Sequence, residues 1–560
     1  MPTVAAVLLA PLLAAPAVGA DDPVTGVLRV EAAEGGVVEV TDDQRGARRF
    51  FDTLEFREGS SGTLLVNDLG IEDYVAGIAE MPARWHPEAL RAQAVAARTY
   101  AWYSIGLGTF THYDICATVA CQVFRGAETV LDGDLGDRWR AAVDDTAGEV
   151  LVDEDGRPIL ARYFSTSGGQ TYPNEVVFPD DGPRPFLKGT EDPADAVSPY
   201  HRWTVEFTRE QFDDIVGRGD TLGPAAPVAE ARRDGSVHDP FADVVLTSTS
   251  GTEVRIGARP FREFVSRLAA ERYPDDYPGV RGDGLRPLPE TLPSSRFEIA
   301  VDGDRVVIEG RGWGHGVGMG QYGARGRAEQ GEDHAQILAA YYDGLAPTVA
   351  DDLPSRIRVG LDVDDTFTLQ PSRAMRVLAG DTVVQELALG AWTVSRQGDA
   401  WTLTPPDGHD ADLEVGATRL AGGLDLGDAV VVEAAVNKPV LLRLVVRDAG
   451  GDEVLSREVG AVDAGEHAFS WRYDDADGNP VPAGDYTLTL IGRDAAGAED
   501  GSPHTLRVGE DEAAAARDRL ADPDGSRAGG ERPAPVVAVV AVLALLVLFA
   551  AVRRSRRRTP

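Results

Sequence analysis

Three stretches of this chain gather side chains able to do chemistry. The first runs from Asn67 to Tyr100. It holds Glu80 ahead of Met81-Pro82, and then an alanine-rich run from Glu88 to Arg98. Tyr74 and Ile78 lie one helical turn apart, which predicts a helix that Pro82 ends. Glu80 then sits at a helix C-terminus, where partial negative charge disfavours an ionised carboxylate, and Met81 and Trp85 add desolvation. Both effects raise a glutamate pKa, as a general acid requires near neutral pH. The competing reading pairs Glu80 with a basic residue such as Arg98. Glu88, in the first turn of the next helix, reads as structural, because the helix dipole there favours a carboxylate.

The second stretch is Ser165-Thr166-Ser167-Gly168-Gly169-Gln170, and the third runs from Gly310 to Gly323 with Trp313, His315 and Gln321 among its glycines. Glycines at this density let backbone approach closely or take positive φ. The spacing matches neither a P-loop nor a dinucleotide fingerprint. A sugar-lined groove fits better, with Trp313 stacked on a sugar face and His315 and Gln321 bonding hydroxyls. The alternative is a tight structural loop around a satisfied buried histidine. Ser165 and Ser167 do not sit in a nucleophile elbow. Their hydroxyls and the adjacent amides suit ligand binding, or equally a plain turn.

These stretches must be positioned by a mixture of strands and helices. Residues 25–68 alternate apolar and polar side chains, as strands do. A helix is expected from Pro87, with Leu90, Ala94, Ala97 and Ala101 as its buried stripe. Residues 110–350 mix short strands, glycine-rich loops and a final helix near Asp333–Tyr342, and 190–290 read as an inserted or peripheral part. The expected fold class is an α+β domain over 25–350, a β-rich module over 355–425 and an all-β sandwich over 427–508 with Trp471 in its core. A linker follows over 509–533.

The chain has 560 residues and a formal net charge of −37, which argues against nucleic-acid binding through phosphate contacts. Residues 1–20 read as a signal peptide closing at Ala20. Residues 534–552 are apolar and uncharged over the length a bilayer needs, and the arginine-rich tail 553–560 follows. A C-terminal transmembrane helix is therefore expected, with the body outside the membrane. The two cysteines, Cys116 and Cys121, form a disulfide or hold a metal in such a compartment.

Taken together and in this order, the three stretches resemble the SpoIID/LytB family of sporulation stage II protein D and amidase-enhancer proteins. The resemblance rests on Glu80-Met81-Pro82 with the run Glu88–Tyr100, on Ser165–Gly169, and on Gly312–Met319, and it covers about residues 25–350. It implies a lytic transglycosylase that acts on peptidoglycan glycan strands stripped of peptides, requires no cofactor, and uses Glu80 as its acid/base. A single carboxyl suffices for ring closure, unlike the pair in hydrolytic glycosidases. Substrate-lining roles fall on Arg98, Ser165, Ser167, Gly168, Gly169, Gln170, Trp313, His315 and Gln321. The resemblance also suggests zinc at His112, Cys116 and Cys121. Three donors fall short of the four a structural zinc takes, and a Cys116–Cys121 disulfide competes. Metal-dependent hydrolysis there ranks low, since thiolate-rich sites are mostly structural. The rival function is a non-catalytic glycan-binding enhancer of a cell-wall amidase. Separately, Gly465–Tyr486 resembles the end of an Ig-like module of the FlgD type.

Overall fold

The computed structural model describes residues 23–60, 62–236, 239, 242–280, 287–420 and 429–520. It divides into two compact units. One comprises Arg48–Phe51 and Leu65–Asp362, and the other the described residues up to Ala47, Asp52–Leu64 and those from Val363 onward.

The first unit is organised around its helices. Helix α1 spans Ile71–Ala76 and α2 spans Pro87–Leu107. Helix α2 starts at the proline that sequence predicts, because a missing N–H costs nothing at the first helical position. It ends at Gly108, whose φ of 57° suits a residue without Cβ. Its burial goes beyond the expected stripe. Ala89, Ala92, Val95 and Ala96 are as buried as Ala94, Ala97 and Ala101. Leu151, Ile159, Val317, Met319, Ile337 and Leu338 share the cluster that Ala89, Ala92, Val95 and Ala96 enter. Alanines let neighbouring elements come close on every side, so α2 is the axis of the unit and not a surface helix.

Where a helix is buried on all sides, as α2 is over Ala92–Thr99, its polar side chains must be satisfied internally. Arg98, expected to line a groove, has no exposed side-chain surface. Its guanidinium donates to Glu72 of α1 at 2.5 Å and to the carbonyls of Glu149 and Val143 at 3.1 and 3.4 Å. Val143 belongs to α3, Gly133–Asp145. Arg98 thus ties three helices and the Glu149 segment together, and faces no ligand.

Beyond α3, residues 203–310 carry a core of their own. Strand Arg305–Gly310 runs between Trp203–Thr208 and Phe297–Asp302, and Val228–Asp234, Asp243–Ser248 and Glu253–Gly257 form a second sheet. Helices α4 (Arg209–Gly217) and α5 (Ala258–Arg272) supply Phe212, Ile215, Phe261 and Val265 to that core. The chain then returns through Met319–Gly320, which pairs in parallel with Tyr163–Phe164, to α6 (Gln321–Glu329) and α7 (His334–Tyr341). Asp333 caps α7 by accepting from Gln336 N at 2.8 Å, in a reciprocal capping box.

The second unit is almost wholly β. Strand Val37–Asp42 pairs with Thr366–Pro371, and Leu28–Ala32 lies between Thr53–Glu58 and Met375–Ala379. Phe56 stacks on Phe367 at 4.5 Å between ring centroids. Residues 430–508 form a two-sheet sandwich around Trp471, which is fully buried with its Nε1 donating to Asp474 O at 2.9 Å. A short helix, Glu510–Leu520, follows.

The fold class is corrected on one point. It is mixed α/β with a C-terminal all-β region, and among the described residues no helix is long and apolar enough to cross a membrane. The 21-residue α2 is long enough, but with Glu88, Arg91, Gln93 and Arg98 it is not apolar enough. The expected span 534–552 lies outside the described residues, as does the expected signal peptide 1–20.

Removing the Arg98 guanidinium takes from Glu72 its charged partner, leaving it the Gly148 N–H, and takes a donor from Glu149 O. Arg98→Ala is expected to lower unfolding free energy by about 3–5 kcal/mol in denaturant titrations, and Arg98→Lys to recover only part, since ammonium lacks the fork geometry. An unchanged midpoint would contradict the structural role.

Candidate active site

Glu80 does not sit at a helix terminus. Helix α1 stops at Ala76, and the chain runs on as an extended segment paired with Val123–Arg125. Ala79 N donates to Val123 O and Arg125 N to Gly77 O, both at 2.9 Å. Gly77 permits this approach, because a Cβ there would strike the Phe124 ring and lie 2.9 Å from Gly126 O. The same pairing brings Val123 N to Glu80 Oε1 at 2.7 Å.

Of the two causes the sequence offered for a raised Glu80 pKa, desolvation holds and the helix terminus does not. Burial, not a helix dipole, raises it, and hydrogen bonds from Val123 N–H and the Tyr163 hydroxyl pull it partly back. Behind Tyr163 stands a fixed chain. Gln122 Nε2 donates to Tyr163 Oη at 2.8 Å, and Tyr74 Oη donates to Gln122 Oε1 at 2.7 Å. On another side, Gln321, the first residue of α6, gives its Nε2 to Glu80 O and to Gln93 Oε1 of α2, each at 3.2 Å. A half-buried carboxyl with a raised pKa and aligned donors can give a proton and take one back.

The other predicted site residues divide into two groups. Ser165, Gly169, Gln170, Trp313 and His315 keep partial exposure, and Gln321 contacts Glu80. Trp313 packs edge-on to Tyr200 at 5.4 Å and donates to Glu290 Oε1 at 3.3 Å. Ser167 and Gly168 turn inward. Their N–H groups donate to the two oxygens of buried Asp195, each at 2.9 Å, and the other face of Asp195 bonds His201 Nδ1 at 2.8 Å. Fully buried Arg296 donates to the carbonyls of Ser167 and Thr166 at 2.6 and 3.1 Å. The amides expected to hold a ligand hold the loop.

His315 behaves as the satisfied histidine of the alternative reading. Its Nδ1 accepts from Val317 N at 3.1 Å, and Phe164 and Phe178 flank the ring. Burial lowers its pKa to about 3, so it is neutral at physiological pH and unsuited to donating a proton as imidazolium.

Zinc does not fit this donor set. Cys116 and Cys121 are joined in a disulfide, so neither sulfur is a thiolate, and His112 is exposed. Among the described residues no group of His, Cys, Asp and Glu is arranged to hold a metal. The disulfide instead closes the loop that leads directly into Gln122 and Val123. Cys116 on the other side is held by parallel pairing of Ile115–Cys116 with Val359–Gly360.

Sequence reasoning placed Tyr74 on a helix and gave it no role at the site, and it assigned none to Gln122, Val123, Tyr163, Asp195 or Arg296. Tyr163 lies two residues before the serine–glycine motif and Gln122 directly follows Cys121, but no periodicity marks either as a partner of Glu80.

Two measurements follow from this geometry. Thiol titration of the unfolded, unreduced protein should find no free cysteine, and reduction should release both; free thiols with stoichiometric zinc would reverse the assignment. The raised Glu80 pKa also has a stability consequence. Between the unfolded carboxyl value, about 4.3, and the higher native one, the native state keeps a proton that the unfolded chain releases, so this group's contribution falls as pH rises. Glu80→Gln should therefore gain stability relative to wild type as pH rises through that window, with no gain below it. A pH-independent difference would contradict the raised pKa.

Comparison with known proteins matches residues 59–152, which include Glu80, to the family described as stage II sporulation protein (SpoIID), and residues 421–496 to the FlgD Ig-like domain. An uncharacterised protein of Brachyspira hyodysenteriae is 31% identical over 321 residues, 56% of this chain and 76% of that protein. Stage II sporulation protein D of Bacillus subtilis is 29% identical over 299 residues, 51% of this chain and 76% of its own. The amidase enhancer of Bacillus subtilis is 30% identical over 293 residues, 48% of this chain but 39% of its own length. With Glu80 inside the matched region and an FlgD Ig-like domain near its C-terminal end, this chain belongs to the SpoIID family.

Proposed function

We propose that this chain is a lytic transglycosylase acting outside the cytoplasm on peptidoglycan glycan strands, with peptide-stripped strands as its substrate and Glu80 as its acid/base. The observation that carries the reading is the Glu80 carboxyl: burial raises its pKa, and two donors stand ready for its ionised form. A groove that only held neutral sugar would need no such group. Protonated Glu80 gives its proton to the glycosidic oxygen as the bond to the muramyl C1 breaks. The resulting carboxylate takes the proton of the muramyl 6-hydroxyl as that oxygen bonds to C1. A 1,6-anhydro ring closes, no water is consumed, and Glu80 ends protonated. Burial favours the first state of this cycle, and the Val123 and Tyr163 donors favour the second. Trp313, Ser165 and Gln170 are assigned to the groove, because they combine partial exposure with ring or hydrogen-bonding groups.

The identity to the amidase enhancer favours a second reading, in which the chain holds glycan and works with a cell-wall amidase without cutting. Product analysis separates the two. Wild type and Glu80→Gln are incubated with peptide-free glycan strands, and the products are read by mass spectrometry. Anhydro-muramyl ends from wild type, reduced about 10²-fold or more in the variant, are expected. Reducing ends that have gained water would mean hydrolysis. Binding without cleavage by either protein would favour the enhancer.

A further inference from the structure

The hydrogen-bond chain behind Glu80 has a direction. An amide side chain can be placed either way round, but the surroundings of Gln122 admit only one. Its nitrogen end lies 3.4 Å from Ala97 O, a carbonyl that can only accept, so the NH₂ group must be there. The same NH₂ lies 2.8 Å from Tyr163 Oη, and the oxygen end faces Tyr74 Oη at 2.7 Å. Tyr74 must then donate to Gln122, and Gln122 to Tyr163. With its oxygen already accepting, the Tyr163 hydroxyl has its own proton left to give, and the segment that presents Gln122 also brings the next residue's N–H, of Val123, to Glu80 Oε1 at 2.7 Å, which sets the carboxyl beside it. Tyr74 and Gln122 are buried, so bulk water does not compete for these groups.

We infer that Tyr74, Gln122 and Tyr163 form a one-way donor chain that ends on the Glu80 carboxyl, with Tyr163 as the positioning residue for its ionised form. The inference rests on Glu80 being the acid/base. Burial also raises the tyrosine pKa values well above the usual phenol range, which keeps both hydroxyls protonated as donors. The chain opposes burial at Glu80. Desolvation holds the proton on for the acid step, and the Tyr163 hydroxyl, with Val123 N–H, steadies the carboxylate that must then collect the 6-hydroxyl proton. A donor of this kind is worth more to a carboxylate than to a carboxyl group.

The test is Tyr163→Phe in the otherwise unchanged chain, with Tyr74→Phe as the second variant. Glu80 is titrated by ¹³C-carboxyl NMR in wild type and both variants, with Glu80→Gln assigning its resonance, and glycan cleavage is followed against pH. Tyr163→Phe should move the Glu80 titration upward, shift the limb of the pH profile that reports Glu80 in the same direction, and lower turnover at pH 7 about tenfold. Tyr74→Phe should move the titration the same way by less, because Ala97 O still anchors Gln122. A folded Tyr163→Phe whose Glu80 titration and pH profile match wild type overturns the inference and leaves Glu80 as the acid/base. If the titration moves but wild type cuts no glycan, the donor chain stands and the transglycosylase reading falls. Should Tyr163→Phe fail to fold, an unmoved titration in Tyr74→Phe overturns the chain by itself.

Discussion

Burial of the middle of helix α2, Ala92–Thr99, on every side is the constraint on which the first unit depends. Polar groups on a stretch of helix without a solvent face must be answered by other elements, and the answers on this part of α2 place something else. Arg98 is met by Glu72 and the carbonyls of Glu149 and Val143. Thr99 Oγ1 donates back to Val95 O at 2.7 Å and accepts from Leu151 N at 2.9 Å, which fixes the segment that follows α3. Gln93 bonds Gln321, which in turn holds the backbone of Glu80, and Ala97 O orients Gln122. The alanine-rich run is therefore more than filler. Its small side chains admit neighbours close enough for these bonds, and its few polar ones decide where the neighbours stop.

The glycine-dense third stretch follows the same logic. Its glycines wrap buried groups more than they cradle a ligand. Gly316 has a φ of 86°, and a Cβ there would come within 3.0 Å of the Tyr172 ring and 3.2 Å of Arg296 Nη1. At Gly168, with φ 67°, a Cβ would meet Arg311 Cβ at 2.8 Å and Gly312 N at 2.9 Å. Arg296, pinned beneath both motifs with Tyr172 and Phe164 under its guanidinium, joins the serine–glycine loop to the glycine-rich one. The two motifs form one structure because a buried cation needs carbonyls from the first and space from the second.

At Glu80 opposing effects are set against each other within one side chain. A carboxyl in a fully apolar pocket would hold its proton too tightly to return to service, and one on the surface would not hold it at all. Partial burial with two convergent donors lies between these limits. The disulfide contributes at one remove, by closing the loop that presents Gln122 and Val123.

Local pattern was enough to identify the stretches that matter, the family resemblance, the start of α2 at Pro87, the final helix near Asp333–Tyr342 and the burial of Trp471. These depend on periodicity, capping residues and composition over neighbouring positions, which a sequence displays directly. It led astray where an outcome turned on distant partners. The expected helix through Glu80 gave way to pairing with a segment 43 residues on, and Gln321 reaches Glu80 across 241 residues. Arg98 had an arginine's usual affinity for anions, but the packing of α2 turned it inward. By sequence Cys116 and Cys121 could hold a metal or form a disulfide, and the loop brings their sulfurs together in a disulfide. Which residues are able to do chemistry is a property of the side chains themselves. Which of them share a proton depends on burial and on hydrogen-bond partners that only close packing creates.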